Sequence, residues 1–227
     1  MGVQTMEYRH EIKHYITQAD ALCIKNNLSA VASIDSHAKN GSYLIRSLYF
    51  DDLQNTALWE KLDGVNERRK FRIRYYNDDL SFIMLECKIK HNQLGCKLQE
   101  RLSKEEVQKI IDGDINWMAS SAKPLLVNLY VEMKTKGLRP RCVVEYKRVP
   151  FTYGPGNVRV TIDWDIRTGR VDQFLDPNGL TLPVPDNPML LEVKWDEYLP
   201  NVIKRAVALK GRRQSGFSKY ATCRVYG

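Results

Sequence analysis

At 227 residues, 43% apolar and 10% aromatic, the chain can bury a core and is not a disordered polymer. Its formal charge of +8 and pI near 9.2 point to anionic partners, whether nucleic acid, nucleotides, other polyanions or a membrane surface. Five cysteines without a CxxC pair exclude zinc spacing and suggest a reducing compartment.

Residues 7–15 read as a first strand. No signal-peptide core precedes them, no apolar run approaches the ~18 residues of a membrane span, and no Ser or Thr completes a myristoylation motif. A cytoplasmic chain is expected, with a membrane-bound partner left open. Thr17-Gln-Ala-Asp20 caps a helix to about 31. A strand at 43–50 and a short helix at 54–62 follow, then strands at 67–76, 81–90 and 94–102. Ser103-Lys-Glu-Glu106 is a second capping box, opening a helix to about 112, and another helix covers 122–136 before Gly137. Strands fit 140–149, 157–165 and 188–195, with a Pro- and Gly-rich connection at 176–188. Residues 197–210 read as a helix with Pro200 in its first turn, and 215–223 as a short last element.

Strands and helices do not alternate in the βαβ manner, so the expected class is α+β with a mainly antiparallel sheet over a single domain, 1–227. Eight antiparallel strands can close into a barrel whose lumen holds side chains or one small ligand. The strands themselves suggest such a closure. Glu11-Ile-Lys13, Arg72-Ile-Arg74, Glu86-Cys-Lys88, Glu145-Tyr-Lys147, Tyr146-Lys-Arg148, Arg159-Val-Thr-Ile-Asp163 and Glu192-Val-Lys194 space charges evenly among apolar residues. Even spacing in a strand puts them on one face. One such pair means an ordinary cross-strand ion pair; the whole set suggests a sheet curled around a charged interior.

P-loop, Rossmann and nucleophile-elbow motifs are absent, as is HExxH. His10 and His14 fall in a strand, where their spacing does not make a metal pair, and Cys87 and Cys142 read as small core residues opposite the charged positions. The charges carry the chemistry. Arg72 and Arg74 offer two guanidinium forks suited to phosphate oxygens. Lys13, Lys88, Lys97, Arg101, Arg148, Arg159, Lys194 and Lys219 could add positive charge nearby. That many cations facing one lumen repel each other until a polyanion enters. Glu11, Glu86, Glu145, Asp163 and Glu192 provide carboxylates where a divalent cation could bridge to phosphate. The paired acids speak against nucleic acid, whose backbone they would repel.

These residues resemble a family. Arg-His-Glu-Ile-Lys-His-Tyr at 9–15, Ser-Leu-Tyr-Phe-Asp-Asp at 47–52, Arg-Lys-Phe-Arg-Ile-Arg-Tyr-Tyr at 69–76 and Leu-Glu-Cys-Lys at 85–88 carry the first half of the likeness. Arg-Cys-Val-Val-Glu-Tyr-Lys-Arg at 141–148, Val-Arg-Val-Thr-Ile-Asp at 158–163, Leu-Glu-Val-Lys at 191–194 and Ser-Lys-Tyr at 218–220 carry the second. In this order they resemble the VTC-type polyphosphate polymerase domain of the vacuolar transporter chaperone group, within the triphosphate tunnel metalloenzyme superfamily. The resemblance implies an eight-stranded β-barrel tunnel with flanking helices, Mn2+ or Mg2+ as cofactor, and ATP and polyphosphate as partners. It implies transfer of the ATP γ-phosphate onto a growing polyphosphate chain. Lys13, Arg72, Arg74, Lys88, Arg148 and Arg159 would then grip phosphates, aided by the Tyr146 hydroxyl, with Glu192 as metal ligand. Ser218 and Lys219 would close the site, Lys194 would add charge, and Lys97 and Arg101 match a less regular basic cluster. Unlike better-known members, the chain shows no transmembrane segment and no inositol-phosphate sensor domain. Triphosphate hydrolysis and non-catalytic polyanion binding stay open, as does the oligomeric state.

Overall fold

The structure is a computed structural model describing residues 8–91, 94–209, 211–212 and 214–226, with the Lys39 side chain excepted. Chain order begins with β1 (His10–Ile16), α1 (Gln18–Ser29), the short β2 (Ser33–Ile34), β3 (Tyr43–Asp51) and α2 (Thr56–Leu62). A meander of β4 (Arg68–Tyr76), β5 (Ile83–His91) and β6 (Leu94–Leu102) leads to α3 (Lys104–Ile111) and α4 (Pro124–Lys136). Two long strands, β7 (Arg139–Tyr153) and β8 (Val158–Gly169), precede β9 (Thr181–Pro183) and β10 (Met189–Trp195). The chain ends in α5 (Asn201–Ala206) and α6 (Lys219–Tyr226).

Eight strands form one antiparallel path in the order β1-β10-β8-β7-β3-β4-β5-β6, with β2 added to β7 and β9 to β8. The sheet curls until its two ends meet. There the Arg9 and Gly95 amides donate to each other's carbonyls at 3.1 and 3.2 Å, and the Lys88 ammonium reaches Glu11 at 2.8 Å. The antiparallel tunnel expected from the charge spacing is thus present, closed by one bridge rather than a full ladder.

Side-chain alternation sorts the two faces. Outside, Phe71, Ile73, Leu85 and Cys87 receive Val107 and Ile110 of α3 and Leu125, Leu126 and Leu129 of α4. Farther round, Val160, Ile162, Leu191 and Val193 receive Ile24 and Leu28 of α1 and Ile203 of α5. Each fully buried side chain of this kind contributes about 1.5–3 kcal/mol. A third cluster lies inside the curl, where Tyr49, Cys142, Val144, Tyr146 and Leu190 meet Tyr220 and Cys223 of α6. The C-terminal helix therefore fills part of the lumen. Cys142 stands on this inner face beside Tyr146, not opposite it.

Local signals place most boundaries. The hydroxyls of Thr17 and Ser103 accept the amides of Asp20 and Glu106 at 3.2 and 3.1 Å, and those carboxylates accept the capping residues' amides in return. Pro124 opens α4, and Gly137 ends it at a φ of 66°. Two expectations change. The helix expected at 197–210 shrinks to Asn201–Ala206, because Pro200 is extended (ψ 140°) and serves as its N-cap; residue 210 lies outside the described residues. The loop at 176–188 contains β9, which pairs with β8. Among the described residues no helix is long and apolar enough to cross a membrane.

Candidate functional site in the tunnel lumen

The strand register brings most of the expected cations together. Arg74 is 4% exposed, and its Nε donates to the Ser47 hydroxyl at 2.8 Å while Nη2 donates to the Tyr146 hydroxyl at 3.1 Å. Among the described residues no carboxylate pairs with it within 4 Å. A buried guanidinium held only by hydroxyls keeps its full charge for an incoming anion. One turn of the pleat away, Arg72 donates to Glu86 at 2.6 Å and to the Tyr49 hydroxyl at 3.0 Å, and Lys97 meets the other Glu86 oxygen at 3.1 Å. Burial alone would raise Glu86, but Arg72, Arg74 and Lys97 hold it well below the usual carboxylate range.

On the facing wall Arg148 forks onto Asp163 at 2.6 and 2.8 Å, and Lys219 of α6 reaches the same carboxylate at 2.6 Å. Asp163 is fully buried, and burial opposes its charge; Arg148 and Lys219 overcome that and keep the carboxyl low. The ammonium of Lys219 also lies 4.6 Å from the Tyr146 ring centre, and the Arg148 guanidinium 5.3 Å from it. Tyr146 thus touches three cations and orients them toward one space.

Beside these, a lysine–glutamate cluster spans β1 and β10. Lys13 contacts Glu11 at 3.0 Å and Glu192 at 3.2 Å, and Lys194 contacts the same two acids at 3.5 and 2.9 Å. The register explains it, since Glu11 stands opposite Lys194 and Lys13 opposite Glu192. Burial and Glu192 push Glu11 up, yet Lys88, Lys13 and Lys194 hold it far below its ordinary value. Lys13 is correspondingly raised, against burial, by Glu192 and Glu11. Lys88 falls below the ordinary lysine range, because burial outweighs Glu11.

Other expected residues stand differently. Arg159 lies at the open end, where it donates to Asp35 at 3.1 Å and to the Tyr43 hydroxyl, and its Nε is buried without a partner. Arg101 is exposed on the rim, donating to the Ser81 carbonyl at 2.9 Å and lying over Phe82; it does not join the lumen group. Ser218 caps α6, its hydroxyl accepting the Ala221 amide at 3.3 Å, and so positions Lys219. Glu145 faces outward, bound to Arg46 at 2.6 Å. Burial lifts the Cys87 thiol to about 12 and raises Cys142 as well, so neither is poised as a nucleophile.

Sequence reasoning missed the hydroxyl frame of Ser47, Tyr49 and Tyr43, which orients Arg74, Arg72 and Arg159. It also missed Lys70, whose ammonium is buried without a hydrogen-bond partner, although period-two spacing from Arg72 extends to it. Glu11 and Glu192 lie close enough to share Lys13 and Lys194, and their hard oxygen donors are of the kind a divalent cation takes. Among the described residues no three His, Cys, Asp or Glu side chains gather into a complete metal site. A cation held there would complete its shell with phosphate or water oxygens, as Mg2+ commonly does.

A curled antiparallel sheet with flanking helices around a charged lumen defines a tunnel-fold protein. The VTC domain model matches residues 8–226, and the chain belongs to that family. No curated protein matches it significantly. Among solved structures, a Hippeastrum protein assigned as an adenylyl cyclase, and described as having a dominant triphosphatase activity, aligns at a TM-score of 0.57. It shares 14% identity over 96% of each chain, which shows the common fold. A Bacillus halodurans protein assigned as an adenylate cyclase aligns at 0.49 with 14% identity, over 83% of this chain and 81% of its own.

Proposed function

We propose that the chain, as one domain over 1–227, is a polyphosphate polymerase that transfers the γ-phosphate of ATP onto a growing polyphosphate chain in the lumen. The observation that carries this is Arg74, a buried cation bound only to hydroxyls, in a VTC-domain tunnel where cations outnumber carboxylates. Arg72, Arg74, Arg148 and Lys219 grip the triphosphate and neutralise charge developing on the transferred group. Lys13, Lys88, Lys97, Arg159 and Lys194 bind the flanking phosphates. Tyr146 and Ser218 position the cations, and Arg101 serves the outer rim. Glu192, with Glu11, would hold Mn2+ or Mg2+, which supplies Lewis-acid charge at the phosphate oxygens when bound. A cytoplasmic location accords with five free thiols.

The nucleophile favours polymerisation over hydrolysis. Water would need a base or a bound metal to activate it, and Glu11, Glu86, Asp163 and Glu192 are all already engaged by cations. An ionised phosphate chain end needs none. Incubating the protein with ATP and Mn2+ and resolving the products tests this. A ladder of long chains is expected; free phosphate alone would mark a triphosphatase, and tight polyphosphate binding without turnover a binding module.

A further inference from the structure

On the lumen wall built from β1, β10 and β8, register sets Lys13 opposite Glu192 and Glu192 opposite Thr161. Thr161 shares the inner face of β8 with Arg159 and Asp163, while Val160 and Ile162 point outward into the core beneath α1 and α5. It is 2% exposed, and its hydroxyl oxygen is shielded from solvent without a hydrogen-bond partner among the described residues. The carboxylates beside it are all answered. Glu192 binds Lys13 and Lys194, and Asp163 binds Arg148 and Lys219. On its other side Thr161 stands opposite Pro150, whose side chain has nothing to donate or accept.

Leaving a buried hydroxyl unsatisfied costs about 1–3 kcal/mol, a cost that valine of the same shape avoids. Directly opposed side chains of an antiparallel pair hold their Cβ atoms about 4.5–5.5 Å apart, so Glu192 is within reach of Thr161. The hydroxyl nevertheless does not donate to it. A hydroxyl and a carboxylate thus stand side by side as two hard oxygen donors. A phosphate oxygen drawn to Thr161 would meet the negative Glu192 directly across, whereas a cation is attracted to both. Mg2+ and Mn2+ favour such oxygens, and one Ser or Thr hydroxyl with one carboxylate holds Mg2+ in phosphoryl-transfer sites of unrelated fold. The Arg159 Nε, also shielded and unpartnered on this face, can only donate and suits phosphate instead.

We propose that the Thr161 hydroxyl, together with Glu192, ligates the divalent cation that accompanies the triphosphate. The assignment rests on the lumen being a metal–triphosphate site. In the empty tunnel Lys13 and Lys194 neutralise Glu192. A metal-bound triphosphate exchanges them for its cation and offers the two ammoniums its phosphate oxygens. Thr161 is neutral, so it strengthens the hold on the cation without cancelling any of the positive charge that the phosphates need.

Calorimetric titration with tripolyphosphate, once metal-free in EDTA and once as its Mn2+ complex, tests this on the parent, Thr161→Val, Thr161→Ser and Glu192→Gln. The parent is expected to bind the Mn2+ complex more tightly than the metal-free ion. Thr161→Val should bind metal-free tripolyphosphate within about twofold of the parent and the Mn2+ complex about tenfold more weakly, the scale of a lost metal contact. Thr161→Ser, which keeps the oxygen, should behave as the parent toward both. Ligand-free Thr161→Val should melt no lower than the parent, because the hydroxyl it loses has no partner. Equal weakening toward both forms in Thr161→Val, or a lowered melt with it, makes the hydroxyl a phosphate or packing group and overturns the proposal. Loss of the Mn2+ advantage in Glu192→Gln but not in Thr161→Val also overturns it, while leaving Glu192 as metal ligand. A parent without any Mn2+ advantage removes the metal reading of the lumen as well, and a parent that binds neither form removes the triphosphate reading.

Discussion

Arg74 shows how a single side chain acquires a function from its partners. Bound to Ser47 and Tyr146 rather than to a carboxylate, it is rigid and still fully charged. Arg74→Ala is expected to lower kcat/KM for ATP by about 30- to 150-fold, equivalent to about 2–3 kcal/mol for a charge-assisted contact, while circular dichroism stays unchanged. Arg72 differs, because its removal also takes from Glu86, which is 3% exposed, one of its two paired cations and leaves Lys97. Arg72→Ala should therefore lower stability as well as activity, by about 1.5–3 kcal/mol, the range for a hydrogen bond to a charged group. The arginine pair itself was legible from its period-two spacing. Ser47 and Tyr49 were not singled out, since hydroxyl residues in an apolar strand carry no signal of what lies across the lumen.

Among the elements, α6 most directly couples folding to the site. Its Tyr220 hydroxyl donates to Asp51, its ring stacks on Tyr49 at 5.1 Å, and Lys219 precedes it by one position. Tyr220→Phe is expected to lower stability by about 1–2 kcal/mol, the range for a lost buried hydrogen bond, and to weaken triphosphate binding through Lys219. Denaturant unfolding alongside calorimetry would read both effects. The β7–β8 turn rests on Gly156, where φ is +72° and an added Cβ would sit 2.4 Å from the Tyr198 carbonyl oxygen. Gly156→Ala should destabilise by more than about 1 kcal/mol, because neither backbone can yield cheaply. The capping boxes at Thr17 and Ser103 were legible as motifs, whereas the shortness of α5 was not. At its far end the Ala206 carbonyl accepts from the Asn27 side chain of α1 at 3.4 Å, a long-range contact with no local signal.

The molecule as a whole should show its charge arrangement in its pH and ligand dependence. Glu11, Glu86, Asp163 and Glu192 titrate below their ordinary values of 3.8 for Asp and 4.5 for Glu. Groups lowered in the folded state add stability that is present above those ordinary values and is lost as pH falls toward the depressed ones. Thermal melts should thus stay level through mildly acidic pH, then fall steeply below the ordinary carboxylate range. A melt unaffected down to strong acid would contradict the pairing. Tripolyphosphate at about one hundred times its Kd should stabilise the fold by about 2.7 kcal/mol, and less at high salt.

The sequence by itself determined the alternating faces, the helix caps, the overall basic charge and the ordered motifs of a VTC domain, because these depend on local periodicity and backbone chemistry. It could also place Glu145 on the opposite face from Tyr146 and Arg148, since alternation alone decides that. Only the tertiary structure decided which cation meets which acid. Arg148 lies fifteen residues from Asp163, but Lys88 lies seventy-seven residues from Glu11, and that pairing exists only because the sheet curls and closes. Closure likewise left Arg74 and Lys70 without a carboxylate in ion-pair contact among the described residues and moved Arg101 to the rim. Register and curvature, which are set by contacts between distant strands, turned a pattern of spaced charges into a lumen with an excess of positive charge.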